Sequence, residues 1–221
     1  MIRKQSGFTL VEIAIVLVIV GLILGGVLKG QEMISNARVR SVVDQTTAIQ
    51  TAVYAFQDRY RALPGDYRQA SSNIRGVTAS QNGAGNGFVD TNAERGFFWL
   101  HLGAAGFITG SFDGAAVANN NLVCNSTTCP TNAFGGAMKY SWGQTAAGAT
   151  GNAHELRIGR NIPVTVLAEI DRKIDDGVPT QGTFRGDTGS TTPANCYTGS
   201  GATGLYNATS GEQDCAGVRV N

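Results

Sequence analysis

Hydrophobic residues dominate the start of the chain: a short basic stretch leads into an apolar run from Phe8 to Leu28 whose only charged residue is Glu12. As a helix, this run would extend about 30 Å, which is enough to cross the hydrocarbon core of a bilayer. A carboxylate near the centre of such a span costs roughly 2.5 kcal/mol or more, so an acidic residue there is a candidate for function. The pattern predicts a membrane-spanning helix in which Glu12 has a role.

The basic residues at the N-terminus set the expected orientation. Arg3 and Lys4 precede the apolar run, and basic flanks hold that end of a helix in the cytoplasm. A secretory signal peptide would have its cleavage site after the run, whereas here the small residues Ser6 and Gly7 come before it. A simpler alternative is an isolated membrane anchor whose Glu12 lies near the lipid headgroups.

Helical patterning continues beyond the membrane segment. Five apolar residues recur at spacings of four and seven: Val42, Ile49, Val53, Phe56 and Tyr60. This spacing predicts one long helix that packs a single face on a partner, and we expect that partner to be the rest of the chain. The segment Leu63–Asp66 contains Pro and Gly and is expected to end the helix.

The second part of the sequence predicts a mixed domain. Aromatic residues concentrated in 94–107 predict a short buried helix, and Ile162–Ile174 predicts another that begins with Pro. Alternating apolar and polar positions in 137–142 and 154–158 predict two strands of an antiparallel sheet. The glycine-rich loop 81–90 lacks the pattern of a phosphate loop. The expected fold class is α+β, with a long helix packed on a small antiparallel sheet and loop insertions.

The N-terminal pattern, Gly7 followed by Phe8-Thr9-Leu10-Val11-Glu12, resembles the prepilin signature of type IV pilins and type II secretion pseudopilins. The resemblance implies that a membrane aspartyl prepilin peptidase cuts between Gly7 and Phe8 on the cytoplasmic side and N-methylates Phe8. The expected organisation is a leader peptide (1–7), a long helix (8–60, with the transmembrane segment 8–28) and an extracytoplasmic head (61–221).

Cleavage before Phe8 would also explain why Glu12 is tolerated. It creates a terminal amine in a layer of low dielectric constant, and a neighbouring subunit displaced by about one helical turn would place this cation beside Glu12. The expected partners are therefore other pilin subunits in a helical filament, an assembly platform in the bacterial inner membrane, and membrane lipid before assembly. We expect a single-pass protein of the bacterial inner membrane that later enters a periplasmic or cell-surface filament.

The four cysteines suit an exported head. An even number outside the cytoplasm predicts disulfides, and nearest-neighbour pairing of Cys124 with Cys129 and of Cys196 with Cys215 is the simplest of three connectivities. Each bond is expected to hold a polar loop. A zinc site fits poorly, because the sequence has no Cys-x-x-Cys motif and no His pair near the cysteines.

Charge and histidine content give no sign of an enzyme or a nucleic-acid-binding protein. The sequence has 17 basic and 16 acidic side chains and no basic stripe, so no specific nucleic-acid partner is predicted. His101 and His154 belong to no recognisable zinc or hydrolase motif. We expect both to be structural and the protein not to be an enzyme.

Calcium is the one metal that the sequence leaves open, although no cofactor is predicted. Asp187, Asn195, Glu212 and Asp214 could supply the oxygen ligands that calcium prefers. Their spacing matches no known calcium loop, so solvated surface charge is the favoured interpretation.

Together these patterns predict a structural subunit of a type IV pilus-type filament. A pseudopilin of a type II secretion system is the nearest alternative, and the size of the head and the cysteines favour a pilin. An alternative from another class is a monomeric, membrane-anchored binding or enzymatic domain.

Overall fold

A computed structural model of the chain describes residues 9–118, 124–189 and 193–220. The chain divides into two compact units, 1–38 and 39–221, which are considered separately below. The helices of the described residues are α1 (Leu10–Tyr60), α2 (Ala70–Asn73), α3 (Asn92–Ala104), α4 (Val164–Ile174) and α5 (Pro193–Cys196). The strands are β1 (Lys139–Gly143), β2 (Ala153–Arg157), β3 (Phe184–Gly186), β4 (Tyr197–Thr198), β5 (Leu205–Tyr206) and β6 (Gly217–Val220). Short 3-10 turns cover Ala79–Gln81, Gly201–Thr203 and Ala208–Ser210.

The main sheet has four antiparallel strands in the order β1-β2-β6-β3. Tyr140 lies opposite Leu156, and Leu156 lies opposite Arg219 on the last strand of the chain. A separate ribbon pairs β4 with β5. The predicted α+β class is confirmed, as is the pairing of the two predicted strands, whereas β3 and β6 were not predicted.

The outer part of α1 packs one face on the head. Its buried residues are Val39, Val42, Thr46, Ile49, Ala52, Val53 and Phe56. The Phe56 ring meets the edge of Tyr67 at 6.1 Å and of Phe107 at 5.9 Å, and burial of such a side chain contributes about 2 kcal/mol or more. The Thr46 hydroxyl donates to the Val42 carbonyl at 2.7 Å, so its burial leaves no polar group unpaired. The predicted docking face is therefore confirmed.

The helix α1 ends before the segment Leu63–Asp66 begins. The helix stops at Tyr60 because Arg61 adopts a left-handed conformation, with φ 55°, a region that few non-glycine residues enter. Pro64 therefore follows the end of the helix and does not cause it.

The Leu63–Asp66 segment instead organises the glycine-rich loop. The buried carboxylate of Asp66 accepts hydrogen bonds from the backbone N–H groups of Gly85 (2.6 Å), Asn86 (3.1 Å) and Gly87 (2.7 Å). Successive N–H groups that converge in this way bind anions. The loop therefore binds a carboxylate of its own chain, which stabilises the start of the head.

The neighbouring Gly65 lets this segment approach α3. Its φ is 88°, and a Cβ there would lie 2.6 Å from the Glu94 carbonyl oxygen. The Gly65 N–H donates to Nδ1 of the buried His101 at 3.0 Å, and His101 Nε2 lies 2.9 Å from the Gln81 carbonyl. Burial lowers the pKa of His101 to about 4, so the ring is neutral at pH 7 and links three segments.

Both disulfides belong to the core. The structure joins Cys124 to Cys129 and Cys196 to Cys215, with Cα–Cα distances of 6.1 and 5.7 Å. Cys129, Cys196 and Cys215 are completely buried, and Cys124 packs against the same apolar cluster. Each bond closes a loop that contains exposed polar residues, and its sulfur atoms also pack in the apolar interior, which the sequence did not predict.

A buried carboxyl group on α4 joins this helix to β5. Asp171 accepts hydrogen bonds from the Tyr206 hydroxyl at 2.8 Å and from the Gly177 N–H at 3.3 Å. Burial raises the pKa of Asp171 to about 6, and the nearby charges of Asp176 and Asp175 act in the same direction. The fold therefore favours the protonated form of Asp171.

This raised pKa predicts how stability changes with pH. The folded protein binds the Asp171 proton more tightly than the unfolded chain does, so stability from this group is full below pH 4 and falls as pH rises through about 6. Asp171→Asn cannot titrate. Measured by circular dichroism on the full chain in detergent, the unfolding temperature of the wild type should fall relative to Asp171→Asn between pH 5 and pH 8. Glu169→Gln on the same helix is the control, and a difference between wild type and Asp171→Asn that does not change with pH would refute the prediction.

The disulfides predict a defined peptide map. Digestion without reductant should yield Cys124 joined to Cys129 and Cys196 joined to Cys215, with no free thiol. Replacing Cys196 and Cys215 together by Ala should lower the free energy of unfolding by about 3 kcal/mol, because the bond restricts the unfolded chain. Alkylation of all four cysteines in denaturant without reductant would show that the native protein lacks these bonds.

Candidate functional site

The N-terminus of α1 contains a reciprocal pair of hydrogen-bonded residues. The Thr9 N–H and hydroxyl both donate to Glu12 Oε2, at 2.8 and 2.9 Å, and the Glu12 N–H lies 3.3 Å from Thr9 Oγ1. This arrangement is a capping box, in which the first residues of a helix satisfy each other's backbone donors. The Thr-x-x-Glu spacing of Thr9 and Glu12 is its sequence signal, and our sequence analysis missed it.

Glu12 therefore has a role within its own subunit. A cap of this kind contributes about 1 kcal/mol to helix stability, and a negative charge in the first turn interacts favourably with the helix dipole. No described residue donates to the second oxygen, Oε1. The cleavage positions Gly7 and Phe8 lie outside the described residues.

The apolar surface after Glu12 is exposed, with no cover from the residues that the structure describes. Between Leu10 and Leu28, the large hydrophobic side chains keep 44–90% of their surface exposed. In the described part of the chain, α1 is the one helix long and apolar enough to cross a membrane. Lys29 and Glu32 form an exposed ion pair at 2.8 Å directly after this surface, so the polar part of α1 begins there.

None of the described residues packs against the glycines of this segment. A Cβ at Gly21, Gly25, Gly26 or Gly30 would meet no heavy atom within 4 Å. Glycines in such a segment have three explanations, namely close packing with other helices, a soft point in the helix, and the ordinary frequency of Gly in membrane helices. Packing within the subunit explains none of the four.

The four calcium candidates do not form one metal site. Asp187 is completely buried and forms a bidentate ion pair with the buried Arg157, at 2.7 and 3.0 Å. Glu212 lies 3.1 Å from the Asn195 amide, and Asp214 accepts from a backbone N–H. In the described ranges, no three His, Cys, Asp or Glu side chains could jointly hold a metal ion. The interpretation of Asp187 as solvated surface charge is wrong, because its partner lies 30 residues away in sequence on β2.

Further basic groups surround this buried pair. Lys139 faces Arg157 across the β1–β2 ladder and donates to the Ala118 carbonyl. Burial, with repulsion from Arg157 and Arg95, lowers the pKa of Lys139 to about 7. Asp187 thus serves as the counter-charge of a basic cluster, which is a structural task.

The two histidines have structural surroundings. His101 is held by two backbone groups, as described above. His154 lies among aromatic rings, 4.8 Å from Trp142 and 5.7 Å from Tyr140 between ring centroids. Burial lowers the pKa of His154. Both residues thus stabilise packing in the head.

Comparison with known proteins supports a function for the N-terminal segment. No curated protein and no solved structure matches the chain. Residues 2–28 match a family model described as the prokaryotic N-terminal methylation motif. This motif is the signature of type IV pilins and pseudopilins, so the resemblance seen in the sequence is confirmed. The segment that contains Thr9, Glu12 and the exposed apolar surface therefore carries this motif, which supports a type IV pilin-like or pseudopilin precursor.

Proposed function

We propose that this chain is a structural subunit of a type IV pilus-type filament. The observation that carries the proposal is the methylation motif at 2–28, located on a helix whose apolar side chains are uncovered in their own chain. In this proposal a prepilin peptidase removes the leader 1–7 and methylates Phe8. The helix remains in the inner membrane with the head 61–221 outside the cytoplasm.

Assembly would replace lipid by neighbouring helices. Lipid covers the surface between Leu10 and Leu28 before assembly, and helices of other subunits cover it afterwards. Transfer between these two apolar environments gains little hydrophobic free energy, so packing and polar pairing decide the association. Gly21 and Gly25, which are spaced by four and open on the subunit surface, allow close approach of a second helix.

Glu12 would supply the polar pairing. Phe8 precedes Glu12 by four residues, so an axial offset of about 6 Å brings the terminal amine of one subunit level with Glu12 of the next. Thr9 orients the carboxylate through Oε2, and Oε1 points to no described donor. The amine and the carboxylate compensate each other in a layer of low dielectric constant, which sets the register of the filament.

Two other functions are compatible with the same segment. A pseudopilin of a type II secretion system would use the same processing and the same helix. The size of the head and its two disulfides favour a pilin. A membrane-anchored monomer with a binding or enzymatic head would need neither the methylated amine nor the charge at Glu12.

Processing is the first consequence to test. The mature N-terminus should be N-methylated Phe8, and Gly7→Val should block cleavage because the peptidase requires a small residue before the cut. Mass spectrometry of the protein from cells that contain the peptidase measures both. Gly21→Val, within the span, is the control. A wild-type protein that keeps its leader in these cells would contradict the proposal.

The Glu12 charge can be separated from its capping role. Glu12→Gln preserves a capping box, since Gln serves at this position, but it removes the charge. Thr9→Ala removes the cap and leaves the charge. We expect Glu12→Gln and Glu12→Ala to abolish polymer through the loss of about 3 kcal/mol per broken buried pair. Thr9→Ala should lower the polymer yield only modestly, and Glu12→Asp should assemble partially.

Membrane content and polymer content are measured together in this series. Glu12→Gln and Glu12→Ala should insert normally, because removing the charge makes the span more apolar, and Thr9→Ala and Glu12→Asp, which keep the charge, should insert like the wild type. Each variant should also be co-expressed with tagged wild type, since a minor subunit could enter a filament whose neighbours still have their pairs. Normal polymer and normal co-assembly of Glu12→Gln would refute the charge mechanism. A defect in Thr9→Ala beside normal assembly of Glu12→Gln would assign Glu12 a capping role alone.

A further inference from the structure

Two stretches of the head sequence contain few or no charged residues. The sequence has no Asp, Glu, Lys, Arg or His in 188–211, and 102–138 has only Asp113. Soluble surfaces ordinarily contain about 25–35% charged residues, whereas the centres of protein interfaces are depleted of charge. These two regions are therefore candidates for surfaces that another molecule covers.

The first region borders an apolar groove beside α1. The groove has a volume of about 300 Å³ and is open to solvent. Its lining has no charged side chain and consists of Gln45, Ala48, Ile49, Phe107, Ile108, Thr109 and Pro130. A cavity of this size and composition accommodates one or two aliphatic side chains.

The walls of the groove are held in place. Gln45 Nε2 donates to the Thr131 carbonyl at 3.1 Å, which ties α1 to the rim. The Pro130 carbonyl accepts from the Met138 N–H at 2.8 Å, and the Cys124–Cys129 disulfide directly precedes Pro130. The groove is thus preformed, so that an occupant need not order it.

The second region carries an exposed aliphatic side chain. Leu205 on β5 is 69% exposed, the highest value among the large hydrophobic residues described beyond residue 38. Tyr54 (62%) and Phe88 (37%) are the others, and the Phe88 ring rests on Trp142 at 4.5 Å. Leu205 therefore stands out as an aliphatic group without a cover.

The ribbon that presents Leu205 is rigid. Leu205 pairs with Thr198 across the ribbon, which follows Cys196 of the buried disulfide to Cys215. The Asn207 N–H donates to the Cys196 carbonyl at 3.0 Å, and the Thr180 hydroxyl donates to the Gly201 carbonyl at 2.5 Å. Each disulfide thus braces one of the two regions.

We propose that Leu205 of one copy inserts into the groove of a neighbouring copy. The β4–β5 ribbon, which has no charged side chain, then lies against the groove lining, which has none either. The inference rests on the proposed filament and identifies a contact between heads within it. The side chain and the groove belong to different parts of the head, so the contact is heterologous and repeats from copy to copy. Contacts of this type build rings when their rotation closes and open helical filaments when it does not, and the proposed filament requires the second case.

Photocrosslinking in assembled material tests this contact. A benzophenone amino acid replaces Leu205 in the full chain. The culture is switched from isotopically light to heavy medium during expression, so that light and heavy copies share one filament, and the assembled material is irradiated. Peptide mass spectrometry should find light-to-heavy adducts between position 205 and residues 107–109 or Pro130. The same probe at Asn152, an exposed residue between β1 and β2, should not label these residues.

The outcomes separate this inference from the proposed function. Polymer that forms without adducts in the groove, or with adducts elsewhere, overturns the head contact and leaves the filament proposal intact. Absence of polymer from cells that express the wild-type protein overturns both.

Substitution of Leu205 gives an independent measurement. Leu205→Asp should lower the yield of sedimentable polymer about tenfold, the loss expected when a central contact residue is removed, and Leu205→Met should assemble normally. The unfolding temperature should be unchanged in both, because the side chain is exposed in the subunit. Wild-type yield for Leu205→Asp would contradict the proposed contact.

Discussion

The first part of α1 presents exposed apolar side chains on all sides, and none of the residues described in the structure covers them. This uncovered surface is the constraint on which the rest of the account depends, because it requires lipid or other helices around it. Beyond Val39 the helix becomes amphipathic and buries one face, including Phe56, in the head. One continuous helix thus contains both an exposed apolar segment and a segment that packs on the hydrophobic core of the head.

Glu12 combines two electrostatic roles at the start of this helix. Within the subunit it caps the helix together with Thr9, so the carboxylate is oriented before any partner arrives. In the proposed filament the same carboxylate meets the terminal amine of another copy. Capping reduces the cost of holding a charge in the membrane, and pairing removes more of it, so assembly is favoured over the inserted monomer.

Local sequence patterns predicted the main helices and two strands of the sheet. They could not predict contacts between residues that are distant in sequence. The helical spacing of Val42 and Ile49, and the alternation that yields β1 and β2, follow from 3.6- and 2-residue periods. Strands β3 and β6 have three and four residues, too short to show a period. The Arg157–Asp187 pair depends on the sheet that brings its partners together. The capping box of Thr9 and Glu12 was readable from the sequence and was overlooked.

The central claim is that the amine of one subunit pairs with the Glu12 carboxylate of another. Solid-state NMR measures it on polymer assembled from two pools of protein, one with ¹⁵N-labelled Phe8 and the other with ¹³C-labelled Glu12. A dipolar coupling between the Phe8 nitrogen and the Glu12 carboxyl carbon in the mixed polymer, corresponding to about 4 Å, is the predicted result. The control is polymer assembled from chains that each carry both labels. A coupling in this control but none in the mixed polymer would contradict the account.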